Sequence, residues 1–293
     1  MTTPTTPQTS TTMIDLLVSK IDQVGTPACV GIDPVYTKLP EQLRSADEAD
    51  AIASFSLEVL DAIVGQVPAV KPQSACFERY GSEGYAVLER VIAKARDLGL
   101  VVILDAKRGD IGSSAQHYAK GAADMGAHFI TVSPYMGPST IEPFLEAGLG
   151  VFALARTSNP DSDEVQLQQL ADGRHVVHAI SSMIAKMGST QTGSSGLSAL
   201  GAVVGATKAG DEMGKLREMM PDQMFLVPGV GAQGGTVEDV RPMCRLDASS
   251  AGQQGVIVNA SRSVLYPQAS TESWQDGVHQ AAIGFAESLR MLN

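Results

Sequence analysis

Short apolar segments alternate with longer amphipathic stretches along most of the chain. Each apolar segment is too short for a helix, and most are rich in β-branched residues without alternating polar positions. That pattern is typical of strands that are buried on both faces of a sheet. It predicts eight strands, at residues 28–33, 67–71, 100–105, 128–132, 150–155, 200–205, 224–227 and 255–258.

The stretches between these strands predict helices. Residues 78–98 carry apolar positions at helical spacing, and Gly99 follows them as a C-cap. Strands that alternate with helices indicate a parallel sheet, and eight such units favour a closed (β/α)8 barrel of the TIM-barrel class. The alternative is an open doubly wound sheet, but no G-x-G-x-x-G motif follows the first strand. Similar patterns predict further helices at residues 113–125, 138–147, 164–187, 207–220 and 274–292.

Three segments depart from this alternation. Residues 188–198 are rich in Gly and Ser, which predicts a mobile loop before the sixth strand. Residues 156–163 are rich in turn-forming residues. Residues 1–12 are rich in Thr and Pro and lack the basic and apolar regions of a secretory signal. We therefore expect a disordered tail at residues 1–12, followed by a single barrel domain at residues 13–293.

Composition narrows the range of functions. The net charge of −11 argues against a nucleic acid or an anionic membrane as partner, since such partners require a basic surface. A small anionic substrate needs only one or two local donors and is compatible with this charge. No apolar run approaches ~20 residues, so we expect no membrane-spanning helix. The three Cys residues are far apart without a C-x-x-C motif, which predicts reduced thiols and a cytoplasmic location.

Ionisable residues end three consecutive predicted strands. Asp33 ends the first strand, Lys71 ends the second, and Asp105 and Lys107 end the third. Active sites of such barrels lie at the carboxyl ends of the strands, and side chains two positions apart on a strand point the same way. Asp110 follows where the chain turns, so it serves either its own site or that of a neighbouring subunit. A purely structural salt-bridge network is the alternative, but buried ion pairs stabilise poorly, which favours a catalytic cluster.

A second signal indicates phosphate binding. The seventh strand runs into the Gly-rich segment 228–235, and the eighth runs into residues 259–262. Loops after strands seven and eight are the usual phosphate site of this barrel. Glycine lets backbone N–H groups approach an anion, Gln233 adds a donor, and Arg262 offers a planar fork that matches phosphate oxygens. A tight turn beside a solvated Arg is the alternative interpretation.

These motifs together resemble the orotidine 5′-phosphate decarboxylase family. The run D-A-K-R-G-D-I at residues 105–111 is similar to the family signature Asp-x-Lys-x-x-Asp-Ile. The resemblance covers residues 29–266 and is strongest to the longer bacterial branch, type 2. Ser261 departs from the short members of the family, which usually have Gly there and also lack the 188–198 insertion. The other motifs follow in the family's order, with G-I-D at 31–33, V-K-P at 70–72, P-G-V-G-A-Q-G-G at 228–235 and S-R-S-V-L-Y at 261–266.

The resemblance implies an enzyme that converts orotidine 5′-phosphate to uridine 5′-phosphate and carbon dioxide in de novo pyrimidine biosynthesis, without a metal or other cofactor. Lys107 would protonate C6 of the pyrimidine, and Asp105 would lie beside the substrate carboxylate. Lys71 and Asp110 would complete an alternating network of charges with them. The family also implies a homodimer with shared active sites, in which Asp110, Ile111 and Ser114 reach the partner's site. The other implied contacts are ribose hydroxyls for Asp33 and Lys71, the pyrimidine ring for Ser158, and the 5′-phosphate for Gln233 and Arg262.

Two other functions remain open on the residues alone. One is a related barrel enzyme on another sugar phosphate, either a metal-dependent decarboxylase or an aldolase that forms a Schiff base. The other is a barrel that binds a uridine monophosphate without catalysis. His175 and His178 stand at helical spacing, which we interpret as a solvated helix face and not as a metal site. We expect His117 and His128 to be packing or capping residues.

Overall fold

The computed structural model describes residues 12–44, 47–206, 211–231, 234–268, 273–290 and 292. Eight parallel strands form one closed barrel in the order of the sequence. The first strand pairs with the second at Cys29 and Ala69, and it closes the barrel by pairing with the last at Ala28 and Val258. This closure confirms the predicted (β/α)8 barrel and excludes the open sheet. The strands are β1 (Ala28–Ile32), β2 (Ala69–Pro72), β3 (Val101–Arg108), β4 (Phe129–Val132), β5 (Gly150–Arg156), β6 (Ser198–Val204), β7 (Gln223–Pro228) and β8 (Val256–Ala260).

Helices cover the outside of the barrel, and the two of 17 residues, Gly81–Asp97 and Trp274–Arg290, agree with predicted segments. Five of the described helices were not predicted, namely Met13–Val24, Glu48–Ile63, Ser74–Glu78, Val237–Val240 and Arg262–Leu265. Residues 207–210, where the fifth predicted helix would begin, lie outside the described residues. The helices are α1 (Met13–Val24), α2 (Glu48–Ile63), α3 (Ser74–Glu78), α4 (Gly81–Asp97), α5 (Gly112–Met125), α6 (Glu142–Glu146), α7 (Asp163–Gln166), α8 (Val176–Gly188), α9 (Asp211–Met219), α10 (Val237–Val240), α11 (Arg262–Leu265) and α12 (Trp274–Arg290).

The helix predicted at residues 164–187 is wrong as a single element. The chain forms α7, then a turn, and then α8. In the turn, Gly173 adopts the left-handed conformation with φ 84°, which favours glycine. The Asp172 carboxylate accepts a hydrogen bond from the Arg174 backbone N–H, so this Asp-Gly pair forms a local turn instead of continuing a helix. Gly99 has φ 74° after α4, which confirms its predicted capping position.

Helix α1 closes the amino-terminal end of the barrel. Its apolar face carries Ile14, Leu17 and Ile21, which are fully buried and share one apolar cluster with Phe129 and Phe152 inside the barrel. Thr12 caps this helix, and residues 1–11 of the predicted tail lie outside the described residues. Since this end is filled with apolar side chains, any open cavity must lie at the carboxyl ends of the strands.

The segment 188–198, predicted to be a mobile loop, is anchored to α1. The Asp15 carboxylate accepts hydrogen bonds from the backbone N–H groups of Ser194 and Ser195, at 3.0 and 2.8 Å. Gln253 donates its side-chain amide to the Ser195 carbonyl at 2.8 Å. This segment therefore lies at the end of the barrel opposite the strands' carboxyl ends. Within the described residues, no helix combines the length and apolar character needed to cross a membrane.

Candidate active site

A cavity of about 710 Å³ opens at the carboxyl ends of the strands. Because side chains alternate along a strand, every second residue points into the barrel, and one layer of these residues near the carboxyl ends lines the cavity. Its walls are divided by chemistry. The polar members of this layer come from β2, β3, β4 and β8, and the apolar members come from β5, β6 and β7. The polar members are Lys71, Asp105, Thr131 and Asn259, and the apolar members are Leu154, Val203 and Leu226.

The Asp105 carboxylate lies between two ammonium groups. Lys71 Nζ is 2.6 Å from Asp105 Oδ2, and Lys107 Nζ is 2.7 Å from Asp105 Oδ1. Gln73 donates to Oδ2 at 3.1 Å, and the Thr131 hydroxyl donates to Oδ1 at 2.9 Å. Lys71 and Asp105 are buried, whereas the Lys107 side chain is half exposed and faces the cavity. Three of the predicted charges thus form one network at the cavity wall.

The network keeps its buried members ionised. Burial alone would raise the pKa of Asp105, but the positive charges of Lys71 and Lys107 outweigh it and hold this pKa well below its usual value. Burial alone would lower the pKa of Lys71, but the negative charges of Asp105 and Asp33 outweigh it and raise this pKa. Both groups are therefore charged at neutral pH, and Lys71 does not act as a neutral amine there.

The backbone bends at Lys107 to bring its ammonium group to Asp105. Lys107 has φ 44° and is the one residue other than glycine with positive φ among those described. The pairing of β3 with β4 shifts between Leu104 and Arg108, which marks a bulge of the kind often found beside active sites. The Lys107 N–H donates to the Thr131 hydroxyl at 2.9 Å, so β4 stabilises the bend. The predicted contact of Lys107 with Asp105 is present, but it depends on this bulge and not on a regular strand.

The glycine-rich segment and the end of β8 form the other end of the cavity. Pro228, Gly229, Ser261 and Arg262 line it, and Arg262 begins α11 with an exposed side chain. Gly229 has φ 103°, a conformation that favours glycine and exposes the backbone of this turn. Gln233, the predicted second phosphate donor, lies outside the described residues.

The structure brings most of the predicted site residues to one cavity. Asp33, Lys71, Asp105, Lys107, Ser158 and Arg262 all line it. Asp110, Ile111 and Ser114 do not line this cavity in the single chain. The Asp110 carboxylate accepts the Ile111 N–H at 2.8 Å, and Ile111 is 48% exposed.

A buried arginine fixes the loop that carries Ser158. Arg156, at the end of β5, is 2% exposed and forms ion pairs with Asp163 at 2.7 Å and Glu212 at 3.1 Å. Its guanidinium also donates to Ser162 and Gln166 at 3.0 and 3.1 Å. These bonds hold the turn after β5 against the cavity, where Ser158 and Asn159 form part of the wall.

Sequence reasoning assigned no role to Gln73, Thr131 and Asn259, three of the polar residues that line the cavity. Their signal is a polar residue within or directly after a buried apolar strand, because such a residue requires a partner. Thr131 and Asn259 are 1% and 6% exposed. The sequence contains this signal, but which cavity each residue faces depends on the register of the strands.

His175, His178 and Glu212 form a cluster beside the β5 loop. Their potential ligand atoms lie within 4.8 Å of one another, and the two imidazole rings stack with centroids 5.1 Å apart. His178 is buried, so the prediction of a solvated helix face is wrong for this residue. The Glu212 carboxylate forms an ion pair with Arg156, and this ion pair compensates its negative charge within the protein. The cluster joins α8 to α9.

Comparisons with known proteins agree with this geometry. Residues 26–275 match the model of the orotidine 5′-phosphate decarboxylase / HUMPS family. The chain is 38% identical over 302 residues to orotidine 5′-phosphate decarboxylase of Rhodopirellula baltica, covering 94% of this chain and 97% of the relative. It is 42% identical over 241 residues to the enzyme of that name from Roseiflexus castenholzii, covering 81% and 83%. The Leishmania donovani OMP decarboxylase structure has a TM-score of 0.77 at 30% identity and covers 96% of this chain and 98% of its own. The chain therefore belongs to the orotidine 5′-phosphate decarboxylase / HUMPS family.

Proposed function

We propose that this protein is an orotidine 5′-phosphate decarboxylase, a carboxy-lyase that forms uridine 5′-phosphate and carbon dioxide in pyrimidine biosynthesis. The observation that carries the proposal is the Lys71–Asp105–Lys107 network, with Asp105 held within 2.7 Å of both ammonium groups at the wall of the cavity. The same cavity reaches Arg262 and the glycine-rich turn, which suit a phosphate group. Relatives that are 38% and 42% identical carry the name of this enzyme.

The reaction requires electrostatic stabilisation. When the bond between C6 and the carboxylate breaks, the electron pair stays in an sp² orbital at C6 and is not delocalised into a carbonyl. Preorganised charge in a site that excludes water can stabilise such an anion. Lys107 supplies a positive charge at the cavity surface and then donates a proton to C6, which completes the replacement of carbon dioxide by hydrogen. No metal or organic cofactor is needed in this scheme.

The charge balance of the site suits an anionic reactant. Lys71 and Lys107 place two positive charges at the cavity wall, and these offset the negative charge of Asp105 close to the substrate carboxylate. In the bound substrate, binding energy from the phosphate offsets the repulsion between Asp105 and the substrate carboxylate. This repulsion falls as carbon dioxide leaves. Carbon dioxide is uncharged and apolar, and we propose that it leaves toward Leu154, Val203 and Leu226 on the opposite wall.

The remaining contacts follow the length of the substrate. Arg262 and Gln233 bind the 5′-phosphate, and Ser158 contacts the pyrimidine ring. Asp33 and Lys71 bind ribose hydroxyls. This role suits Asp33 because its Oδ1 atom is buried and has no hydrogen-bond partner among the described residues. A bound hydroxyl would supply the missing donor.

Asp110, Ile111 and Ser114 act in the site of a partner subunit in this proposal, and the protein is a homodimer. Support comes from their position outside the cavity of their own chain. Exposed large side chains also occur on α5 and after β4, where Tyr118 is 44% and Tyr135 84% exposed. A location in the cytoplasm is also proposed, and the free thiols of the three cysteines support it.

One spectroscopic experiment tests the function and the proton donor together. The purified protein should lower the absorbance of orotidine 5′-phosphate as it forms uridine 5′-phosphate, and a chelator should leave the rate unchanged. Lys107→Ala should reduce kcat by about 10³-fold or more, because it removes both a general acid and a positive charge. Lys120→Ala, at an exposed lysine on α5, is the matched control and should retain full activity. Absence of turnover in the native protein contradicts the proposed function, and appreciable turnover by Lys107→Ala contradicts the proton donor.

A further inference from the structure

Asn259 is a buried amide at the wall of the cavity. It is 6% exposed and lies near the end of β8, where β8 pairs with Cys29 of β1 and with Pro228 of β7. Ile257, two positions earlier, belongs to the apolar cluster inside the barrel. Strand alternation therefore points Asn259 into the barrel as well, and its side chain lines the cavity above Ile257.

The two ends of this amide differ in their hydrogen bonding. Nδ2 donates to the Ser261 hydroxyl at 3.4 Å. Oδ1 is buried and has no hydrogen-bond partner among the described residues. Buried carbonyl oxygens are almost always satisfied, and one left without a donor lowers stability. Because this side chain lines the substrate cavity, a ligand bound there is the available source of the missing donor.

A second unsatisfied acceptor lies on the neighbouring strand. Asp33 Oδ1, just after β1, is also buried without a partner among the described residues. Gly31 separates the two strand ends: a Cβ at this position would lie 3.2 Å from Asp33 Oδ1 and 2.0 Å from the Ser261 hydroxyl. The absence of a side chain at Gly31 thus lets Ser261, which positions the amide, lie beside Asp33.

The chemistry of the two acceptors selects the kind of ligand group. A phosphate is excluded because it offers few donors at neutral pH and would be repelled by Asp33. Hydroxyl groups are suitable because each can donate one hydrogen bond. Around the barrel, Asn259 on β8 is followed by β1, by Lys71 on β2 and by Asp105 on β3, and Arg262 comes three residues after Asn259 in the chain. We therefore assign Asn259 to the part of the cavity between the phosphate site and the charge network. In a nucleotide, the group between the phosphate and the base is the sugar.

We infer that Asn259 is a further substrate-binding residue whose Oδ1 atom accepts a hydrogen bond from a ribose hydroxyl, beside the hydroxyl bound by Asp33. The inference rests on the proposed function for the orientation of the nucleotide. Ser261 is a positioning residue, since its hydroxyl accepts the hydrogen bond from Nδ2 and leaves Oδ1 for the ligand. The site then distinguishes ribonucleotides from deoxyribonucleotides partly through Asn259, because a missing hydroxyl leaves the buried oxygen unsatisfied.

Equilibrium binding tests this role without requiring turnover. Uridine 5′-phosphate and its 2′-deoxy and 3′-deoxy analogues are titrated into the native protein and into Asn259→Leu, which has a similar volume without hydrogen-bonding groups. The native protein should bind uridine 5′-phosphate about 10-fold more tightly than the analogue that lacks the hydroxyl bound by Asn259. Asn259→Leu should bind uridine 5′-phosphate about 10-fold more weakly than native protein does. It should bind the analogue that lacks this hydroxyl with an affinity within about twofold of the native one.

The outcomes separate this role from packing and from the proposed function. If Asn259→Leu weakens all three ligands equally, or weakens none, the hydroxyl contact is absent and the inference is overturned. If Asn259→Leu does not fold, Asn259→Ser is titrated with the same three ligands. It must then show the same selective loss of affinity for uridine 5′-phosphate. Native protein that binds these ligands with the expected ratios but does not decarboxylate orotidine 5′-phosphate would contradict the proposed function alone. Native protein that binds no uridine 5′-phosphate would overturn the inference too.

Discussion

The Asp105 carboxylate accepts hydrogen bonds from four side chains, two on each oxygen. Lys71 and Gln73 donate to Oδ2, and Lys107 and Thr131 donate to Oδ1. A carboxylate has about four acceptor positions, so this one is saturated by the protein. Since the pKa of Asp105 is also held below its usual value, this residue does not accept a proton at neutral pH. In the proposed function its role is electrostatic, and it holds the Lys107 ammonium group at 2.7 Å.

Thr131 should affect the rate although it carries no charge. Its hydroxyl donates to Asp105 and accepts the Lys107 N–H, so it connects the charge network to the left-handed bend. Thr131→Val keeps the shape, leaves the Lys107 N–H without its acceptor and removes one of the two donors to Asp105 Oδ1. We expect kcat to fall by about 10-fold while KM changes less than about twofold. Steady-state kinetics on orotidine 5′-phosphate measure both values. Thr26→Val loses a buried hydrogen bond to the Ala286 carbonyl, far from the cavity, and serves as control. An unchanged kcat in Thr131→Val would show that the bend does not need this hydroxyl.

Arg262 should contribute to the reaction rate only by binding the phosphate group of the substrate. Arg262→Ala should lower kcat/KM for orotidine 5′-phosphate by about 10- to 100-fold, because hydrogen bonds between charged groups are the strong ones. With orotidine, which lacks the phosphate, native protein and variant should react at similar rates. Arg241→Ala, at a half-exposed arginine next to α10, is the matched control. Unchanged kinetics on the full substrate would show that the phosphate lies elsewhere.

At the scale of elements, strands were predictable because each is apolar on both faces, and the barrel followed from their number. Helix α1 was missed because it precedes the first strand, outside the strand–helix alternation. Helix α2 was missed because more than half of its residues are buried, so no wide polar face marks it. The network of Lys71, Asp105 and Lys107 was predictable from charges directly after apolar runs. The cavity positions of Thr131 and Asn259 were not, because they depend on strand register and on partners distant in sequence.

His128, at the start of β4, should make stability depend on pH. Its Nδ1 atom accepts the Val102 N–H at 3.0 Å, and burial, aided by the charge of Arg96, lowers its pKa to about 4. In the unfolded chain the pKa is about 6.5, so the unfolded state binds a proton first as the pH falls. The stabilisation is present above about pH 6.5 and is lost toward pH 4. Because the ring is partly exposed, we expect the free energy of unfolding to fall by about 1 kcal/mol between pH 7 and pH 5 from this group.

Urea unfolding of native protein and His128→Asn at pH 7 and pH 5 measures this effect. The Asn side-chain oxygen can still accept the Val102 N–H but does not titrate in this range. The variant should therefore lose less stability than native protein between the two pH values. Equal losses would show that His128 is not the titrating group.

At the scale of the molecule, the proposed reaction uses four charged residues next to the reacting carbon. Two of them, Asp105 and Lys107, lie on one strand, β3. Lys71 comes from β2, and Asp110 lies outside the cavity of its own chain. Without Asp110 the network keeps a net charge of +1, and a partner's Asp110 would bring it to zero. A two-fold interface makes every such contribution reciprocal, so each dimer has two identical composite sites. The dimer is therefore predicted to be the smallest active unit.

Heterodimers of two inactive variants test this sharing of sites. Lys107→Ala and Asp110→Ala should each lose most of their activity as homodimers. In a mixed dimer isolated with two different affinity tags, one site combines both defects, and the other combines native Lys107 with native Asp110 from the partner. That dimer should recover about half of the native activity, because one of its two sites is intact. A mixed dimer of Lys107→Ala and Lys71→Ala is the matched control. Both lysines serve the same chain's cavity, so it contains no intact site and should stay inactive. If the first mixed dimer also stays inactive, Asp110 does not act across the interface, and its function must be sought within its own chain.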